Sequence, residues 1–441
     1  MMIETLEQRR HPQKSMKIQR PIGTYDVTPD EAAVWSMLED RIRAWFRSYN
    51  YGEIRTPVFE YTDLFKRGVG EASDIVAKEM YTFEDRGGRS LTLRPEGTAS
   101  VVRAYIENGL AQKSPGVAKL FYLAPMFRYE RKQKGRFRQH VQYGCEVFGA
   151  PGPDIDLELL VMVNQFYSEL GLDELDLQIN SVGCPKCRPA HREIFVKWAI
   201  PFLGQFCGDC CRRFEVNPLR MFDCKEERCQ ELLQEAPLLR HHLCTECETH
   251  FAALREGLDA FGIRYMENPK LVRGLDYYTR TAFEMSYAPL GSQGVLMGGG
   301  RYDGLTEYLD GPPTPGIGFG AGMERLLLIL KETGKVPAVS TGLDLFLVTL
   351  GERAAREGGK LLLALRRDGF RCDRDYTGKS LRKQFQAADK LGARYAAVIG
   401  DNELEKQVIV LKDLKQGTQQ EIPWKDGFAE LKTVLHVSLF R

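Results

Sequence analysis

The stretch Gly316-Ile317-Gly318-Phe319-Gly320-Ala321-Gly322 places glycine at every second position. Side chains of a strand alternate between faces, so one face here carries none at all. A backbone this bare lets a flat ligand lie directly against it. Met323 then opens a helix to Leu330, with Leu326, Leu327 and Leu330 as its buried side and Glu324-Arg325 in its first turn. A cation there opposes the helix dipole, so Arg325 costs stability unless an anion meets it; the competing reading is a salt bridge to a neighbouring acid.

The usual phosphate-binding motifs are absent. Gly378-Lys379-Ser380 lacks the glycine five residues before Gly378, and no Gly-x-Gly-x-x-Gly follows a strand, so a nucleotide would have to sit on an antiparallel sheet. Upstream, residues 120–130 and 140–148 read as two strands around a polar loop. Arg128 and Glu130 share one parity with Ala124 and Met126; in the second strand Val141, Tyr143, Cys145 and Val147 are apolar, while Gln142, Gly144 and Glu146 face the other way. Arg128, Glu130, Gln142 and Glu146 can therefore cluster on one polar face. The loop Arg131-Lys132-Gln133-Lys134-Gly135-Arg136-Phe137-Arg138 carries five cations and a glycine for tight turning. A hairpin with a solvated outer face is the bland alternative. A phosphate-bearing ligand gives the combination a reason: arginine grips oxygens bidentately, Phe137 can stack on a base, and an acid can bind an amino group.

Around these elements the chain of 441 residues has room for about two or three domains. Lys plus Arg, at 61, nearly cancel Asp plus Glu, at 60, so any RNA contact must come from local patches. No apolar run approaches the roughly eighteen residues that span a bilayer, and residues 1–17 form a polar N-terminal tail without a hydrophobic segment, with Met16 as a candidate structural start. Eleven cysteines without a secretory signal fit a reducing compartment, which places the protein in the cytoplasm with no membrane partner.

A helix begins at Thr28-Pro29-Asp30-Glu31 and buries Val34, Trp35, Leu38, Ile42, Trp45 and Phe46; a strand over 51–58 follows. Residues 91–94 end at Pro95-Glu96-Gly97-Thr98, beyond which Val101, Val102, Tyr105 and Ile106 mark a second helix. Strand signals up to about residue 178 are antiparallel, without repeated strand-helix-strand crossovers. The fold class is α+β. Residues 18–180 form the first part of the main domain, 181–263 a Cys-rich, mostly helical insertion, and 264–335 its second part. Residues 336–342 form a linker to a compact α/β unit over 343–441.

Together these elements resemble the class II aminoacyl-tRNA synthetases. The segment ending at Pro57 looks like motif 1, the dimer element; Phe127-Arg128-Tyr129-Glu130 with Arg136 and Gly144-Cys145-Glu146 looks like motif 2; residues 316–325 look like motif 3. Within that class, Leu271-Val272-Arg273-Gly274-Leu275-Asp276-Tyr277-Tyr278 and Gly298-Gly299-Gly300-Arg301-Tyr302-Asp303-Gly304 are similar to two segments peculiar to histidyl-tRNA synthetases, and Arg94-Pro95-Glu96-Gly97-Thr98 agrees. The resemblance runs from about residue 17 to the C-terminus.

It implies a class II antiparallel sheet flanked by helices, a C-terminal anticodon-binding domain, and a histidine–tRNA ligase that makes histidyl-adenylate from histidine and ATP before transfer to the 3′ end of tRNA(His). Histidine would be bound by Glu96, Gly97, Thr98, Gln142 and Glu146, with Tyr277, Tyr278 and Tyr302 shaping the pocket. Arg128 and Arg273, the catalytic pair, would hold its carboxylate and the ATP α-phosphate; Arg325 would take the γ-phosphate, Glu130 would approach the adenine, and Arg136 would belong to the same ATP site, with Mg²⁺ as cofactor. The cationic loop would also meet the acceptor end of the tRNA, and a homodimer is expected. A pocket that hydrogen-bonds a polar side chain rejects analogues without editing, and carboxylate attack on phosphorus needs positioning and cations rather than a protein nucleophile.

The insertion adds Cys184-x2-Cys187, Cys207-x2-Cys210, Cys224-x4-Cys229 and Cys244-x2-Cys247. Eight ligands would suit two four-coordinate structural zincs, or one zinc with spare thiols; reduced, solvent-side cysteines are the alternative. Cys145 and Cys372 stand apart as packing residues. Two rival functions are a catalytically silent, histidine-sensing regulatory paralogue and an RNA-binding zinc protein. The first usually lacks the C-terminal domain and parts of the ATP site, whereas Arg128, Arg136, Arg273, Arg325 and residues 343–441 are all present; the second leaves the glycine strand unexplained.

Overall fold

The computed structural model describes residues 18–70, 73–114, 116–130, 135–424 and 428–439, with backbone only at 292, 293 and 437–439. The expected tail 1–17, with the start at Met16, and residues 131–134 of the cationic loop lie outside the described residues. Two compact units divide after Pro337, with Pro29–Ala33 grouped with the second.

The first unit contains strands β1 (Gly52–Glu53), β2 (Phe59–Tyr61), β3 (Tyr81–Glu84), β4 (Ser90–Leu93), β5 (Ala118–Phe127), β6 (Gln139–Phe148), β7 (Asp176–Ser181), β8 (Met266–Glu267), β9 (Thr279–Ser286), β10 (Val295–Arg301) and β11 (Gly316–Gly322). Eight of them form one sheet in the order β1-β5-β6-β11-β10-β9-β7-β8. It is antiparallel except at its edges, where β1 runs parallel to β5 and β8 to β7. A small antiparallel sheet, β2-β4-β3, stands beside it.

Alternation decides which face of the large sheet is covered. Tyr143, Cys145 and Val147 of β6 and Ile317, Phe319 and Ala321 of β11 share one core with Leu38, Ile42 and Phe46 of helix Pro29–Ser48 and Leu159, Leu160 and Phe166 of helix Asp154–Glu169. Each such buried side chain contributes roughly 1.5–3 kcal/mol. The opposite face is left to Gln142, Gly144, Glu146 and the glycines of β11, with Gly318 paired to Glu146 and Gly322 to Gln142. The first helix starts as its sequence demands: Thr28 is extended at the N-cap, Pro29 is the first helical residue, and Asp30 and Glu31 face the positive end of the dipole.

The expected strand over 51–58 is broken. Only Gly52 and Glu53 pair with β5, and pairing resumes at Phe59. Pro57 has no N–H to give a ladder, and the carbonyls of Thr56 and Pro57 are taken by buried Arg94 Nη1 at 2.8 and 3.2 Å. The insertion is helical, through Arg188–Ala199, Gly208–Val216, Glu227–Leu232 and Thr245–Ala260. The last of these sends Phe251, Leu254 and Leu258 into the main core.

The second unit carries β12 (Leu345–Thr349), β13 (Cys372–Arg374), β14 (Tyr395–Ile399), β15 (Val408–Asp413) and β16 (Gln419–Pro423) in the order β13-β12-β14-β15-β16, the first three parallel. Both faces of β12 are covered: Leu345 and Leu347 lie in one core, Phe346 and Val348 in another, so its sequence is a continuous apolar run. The hairpin partner β16 and helix Asp401–Lys406 lack the apolar periodicity that would announce them, whereas helix Ala429–Leu439 carries it at Leu431, Val434 and Leu435, which pack on the core of this unit.

Candidate active site

Four glycines of the bare strand each lie under a polar or aromatic side chain. A Cβ at Gly316 would collide with the ring of Tyr302, at Gly318 with the carboxylate of Glu146, at Gly320 with the amide of Gln142, and at Gly322 would crowd Arg325. Gly298, paired with Gly320 across β10 and β11, lies under the guanidinium of Arg273. The expectation that a flat ligand lies directly on this backbone is therefore replaced. Side chains of the site's own residues lie on it, and a ligand would meet those.

Glu146 sits at the centre, fully buried. Thr98 Oγ1 donates to its Oε1 at 2.7 Å and Tyr302 Oη to its Oε2 at 2.6 Å. Burial drives its pKa well above the ordinary carboxylate value; the two hydroxyls pull it down and Glu96 pushes it up. Glu96 itself accepts from the backbone N–H groups of Thr98 and Ala99, at 2.7 and 2.8 Å. It thus satisfies orphan donors of helix Thr98–Glu107, while burial raises its pKa as well. Tyr277 packs edge-on to Tyr302 with centroids 5.8 Å apart, and Tyr278 is tilted against Tyr277 at 4.7 Å. Two buried polar atoms, Gln142 Oε1 and Arg273 Nε, have no hydrogen-bond partner among the described residues. The side chains that carry them lie over directly paired glycines, Gly320 and Gly298. A ligand with a donor and an acceptor would satisfy both.

At the end of β5 the strand stops at Phe127, so Arg128 and Glu130 leave the sheet that parity would have kept them on; only the Arg128 N–H still bonds Arg138 O, at 2.9 Å. Arg128 Nε donates to Pro95 O at 2.7 Å. Glu130 lies between two cations, 3.7 Å from Arg128 Nη1 and 3.2 Å from Arg136 Nη1. Arg325 donates to Gly135 O at 3.1 Å and to Val295 O at 3.0 Å, and burial, then Arg136, lowers its pKa. Arg273 Nη1 donates to Glu284 Oε2 at 2.6 Å. Arg128, Arg136 and Arg325 thus border one region with Glu130. Phe137, expected to be available to a base, packs on Tyr25 with centroids 4.5 Å apart.

Three supports of the site escaped the sequence reading. Buried Tyr122 lies against both Gly97 and Gly144, where a Cβ at either would meet its hydroxyl. Glu284 holds Arg273. Behind Tyr302, fully buried Arg301 donates from Nε to Asp156 Oδ1 at 2.8 Å, and Asp156 also accepts from Thr281 at 2.6 Å and bonds His250 Nε2 at 2.8 Å. Only Arg301 stood in a recognisable motif; the others come from separate elements at no fixed spacing.

The eight paired cysteines of the insertion form two groups of four, Cys184, Cys187, Cys244 and Cys247, and Cys207, Cys210, Cys224 and Cys229, each with its sulfurs within 4.8 Å of one another. The outer pairs of the sequence join, as do the inner pairs. The Sγ atoms of Cys184 lie 3.7 Å from Cys187 and 3.8 Å from Cys244, and Cys207 lies 3.7 Å from Cys224. A regular tetrahedron with Zn–S of about 2.3 Å has edges of about 3.8 Å. Backbone N–H groups of Cys244 and Cys207 point at Cys187 and Cys229 sulfurs, at 3.1 and 3.3 Å.

Residues 23–186 and 219–326 match the family model for histidyl-tRNA synthetase, and residues 344–433 that for an anticodon binding domain. A histidine–tRNA ligase of Desulfitobacterium hafniense is 51% identical over 411 residues, 93% of this chain and 97% of that protein. One of Acetivibrio thermocellus is 48% identical over 417 residues, 95% of this chain and 100% of that protein. The crystal structure of apo S. aureus histidyl-tRNA synthetase is similar over 96% of this chain and 99% of that chain, with a TM-score of 0.81 at 41% identity. At 20% identity and a TM-score of 0.61, covering 88% of this chain and 99% of that one, the fold alone is shared with an ATP phosphoribosyltransferase regulatory subunit/histidyl-tRNA synthetase from Bacillus halodurans.

Proposed function

The chain belongs to the histidyl-tRNA synthetase family, and from that premise we propose how its residues divide the work. The enzyme is a histidine–tRNA ligase: it activates histidine with ATP, releasing pyrophosphate, and transfers the histidyl group to tRNA. Glu146, Thr98 and Gln142 would take the imidazole and Glu96 the α-ammonium, with Gly97 leaving room for Tyr122, and Tyr277, Tyr278 and Tyr302 as walls. Arg128 and Arg273 would hold the histidine carboxylate and the α-phosphate, so that the carboxylate oxygen attacks phosphorus as pyrophosphate leaves. Arg325 and Arg136 would neutralise the outgoing phosphates, and Glu130 would approach the adenine. Mg²⁺ supplies further neutralisation when bound with ATP; Glu284, a hard oxygen donor beside Arg325, would hold it.

The observation that carries this division is the buried carboxylate of Glu146, held by two hydroxyls beside the unpartnered Gln142 Oε1. A dry polar pocket of this kind suits a polar side chain and penalises an apolar one by its unpaired groups. Residues 18–180 and 264–335 would form the catalytic domain and 343–441 would read the anticodon, with 336–342 as linker. The loop around Arg136 would approach the acceptor end of the tRNA. The protein would act as a cytoplasmic homodimer; among the described residues no helix is long and apolar enough to cross a membrane. The two cysteine groups of the insertion, 181–263, would each bind one structural zinc.

The test is amino-acid-dependent ATP–pyrophosphate exchange with histidine against the other nineteen amino acids. Exchange with histidine alone, abolished by Arg273→Ala, is the expected result. Exchange that survives Arg273→Ala would remove that arginine from the assigned chemistry.

A further inference from the structure

The segment between the insertion and β9 carries Arg273, Tyr277 and Tyr278, yet residues 271–278 belong to no helix or strand. Something other than a ladder must fix them. Val272 is buried in the same core as Cys210, Cys224 and Cys229, together with Phe195, Met221 and Phe222. At the other end, Arg188, the residue after Cys187, donates from Nη2 to Tyr278 O and from Nε to Val182 O at 3.1 Å. The backbone of Arg280 donates to Gly183 O at 2.8 Å, one residue before Cys184. Between these ends, Asn217 donates to Asp276 Oδ1 at 2.9 Å. One end of the pocket segment is thus packed on the inner cysteine group, and the other is tied to the outer group.

We propose that the two tetrathiolate sites are metal clamps on the histidine pocket: the inner site fixes Val272 and hence Arg273, and the outer site fixes Tyr278 and hence the aromatic wall. This rests on the reading that each group of thiolates holds zinc. No zinc approaches the reacting atoms; both act by positioning. A ligand-bearing loop displaced by about 1 Å can cost up to about 10²-fold in rate, so a small movement of Val272 suffices. The ATP-binding arginines Arg128 and Arg136 come from the connection between β5 and β6, and Arg325 from the helix after β11, all outside either clamp. Metal loss therefore weakens histidine more than ATP, which meets the clamped segment only at Arg273.

The experiment compares the full-length wild type with Cys224→Ser/Cys229→Ser, Cys244→Ser/Cys247→Ser and Val272→Ala. Zinc is counted by elemental analysis, histidine and ATP binding are measured separately by calorimetry, and hydrogen exchange is followed in peptides covering 268–280. The expected results are two zincs per chain in the wild type and one in each double cysteine variant. Histidine affinity should fall about tenfold or more, with faster exchange in 268–280, and ATP affinity, which loses only the Arg273 contact, should fall less than that of histidine. Val272→Ala should keep both zincs and still lose histidine affinity, so the clamp is tested even where a cysteine variant does not fold. Two zincs with histidine binding unchanged in Val272→Ala would overturn the clamp and leave the zinc reading standing. Absence of zinc from the wild type would overturn the zinc reading itself.

Discussion

Tyr302 donates its hydroxyl to Oε2 of Glu146 at 2.6 Å, above the backbone of Gly316 and Gly318, where no side chain could stand. The pair joins β6 to the turn after β10 across 156 residues of sequence. A carboxylate so placed presents acceptors in a dry pocket, where an unmet donor costs about 1–3 kcal/mol.

Glu146→Gln keeps the volume but exchanges one acceptor oxygen for a donor amide. It should lower kcat/KM for histidine in pyrophosphate exchange by about 10²-fold or more, while KM for ATP stays close to that of the wild type. A parallel loss in both substrates would instead mean that the whole site had shifted. Tyr302→Phe removes only one of the two hydroxyls on Glu146 and should show a smaller loss of the same kind.

Gly318→Ala tests the floor. Its Cβ would meet the Glu146 carboxylate and the Cys145 carbonyl, neither of which can withdraw far within a paired strand. Overpacking of this kind costs about 1–3 kcal/mol in stability, and the displaced carboxylate should make histidine affinity fall more than thermal stability does. Gly304→Ala, at a glycine whose Cβ would meet nothing within 4 Å but whose φ is +102°, should cost stability through backbone strain alone and leave histidine affinity intact.

Part of this site was legible because strands alternate. The parity of Gln142, Gly144 and Glu146, and of the β11 glycines, predicts a polar, bare face, and the face is there. The same rule carries less weight for Arg128 and Glu130, because β5 ends at Phe127 and only the Arg128 N–H, bonded to Arg138 O, continues the hairpin beyond it. It fails at 51–58, where a buried guanidinium replaces the ladder around Pro57. Tyr122, Glu284 and Asp156 were out of reach, since each acts through a contact between elements at no fixed spacing. Cysteine spacing gave the pairs but not their partners, because nesting the outer pairs around the inner ones depends on how the insertion's helices fold.

Asp156 and Arg301 make a prediction about stability. Both side chains are fully buried, and the carboxylate is also the partner of His250 and Thr281. Removing Asp156 leaves buried Arg301 with Asp303, 3.2 Å from its Nη1, as its remaining carboxylate, so Asp156→Ala should cost about 3 kcal/mol in urea unfolding, the low end for breaking a buried pair. The double substitution Asp156→Leu with Arg301→Met removes both charges and should cost markedly less than the sum of the two single variants. Strict additivity in that cycle would mean the two groups are not coupled in the folded protein.

The remaining prediction concerns pH. Glu324 is buried, accepting from the Val141 N–H at 2.9 Å and from the Tyr25 hydroxyl at 3.0 Å, and burial pushes its carboxyl from 4.5 to about 7 against the pull of those donors. Between those two values the folded state binds a proton that the unfolded state has released. Stability therefore falls as pH rises through that window, by on the order of 3 kcal/mol across it, the opposite of a salt-bridged acid. Glu324→Gln keeps a carbonyl acceptor for Val141 and has no proton to lose. Its unfolding free energy, measured from about pH 5 to about pH 7.5, should rise relative to the wild type as pH increases, and the two curves should converge at the acid end. Curves that stay parallel across that range would show that Glu324 is ionised throughout, and that the donors around it outweigh its burial.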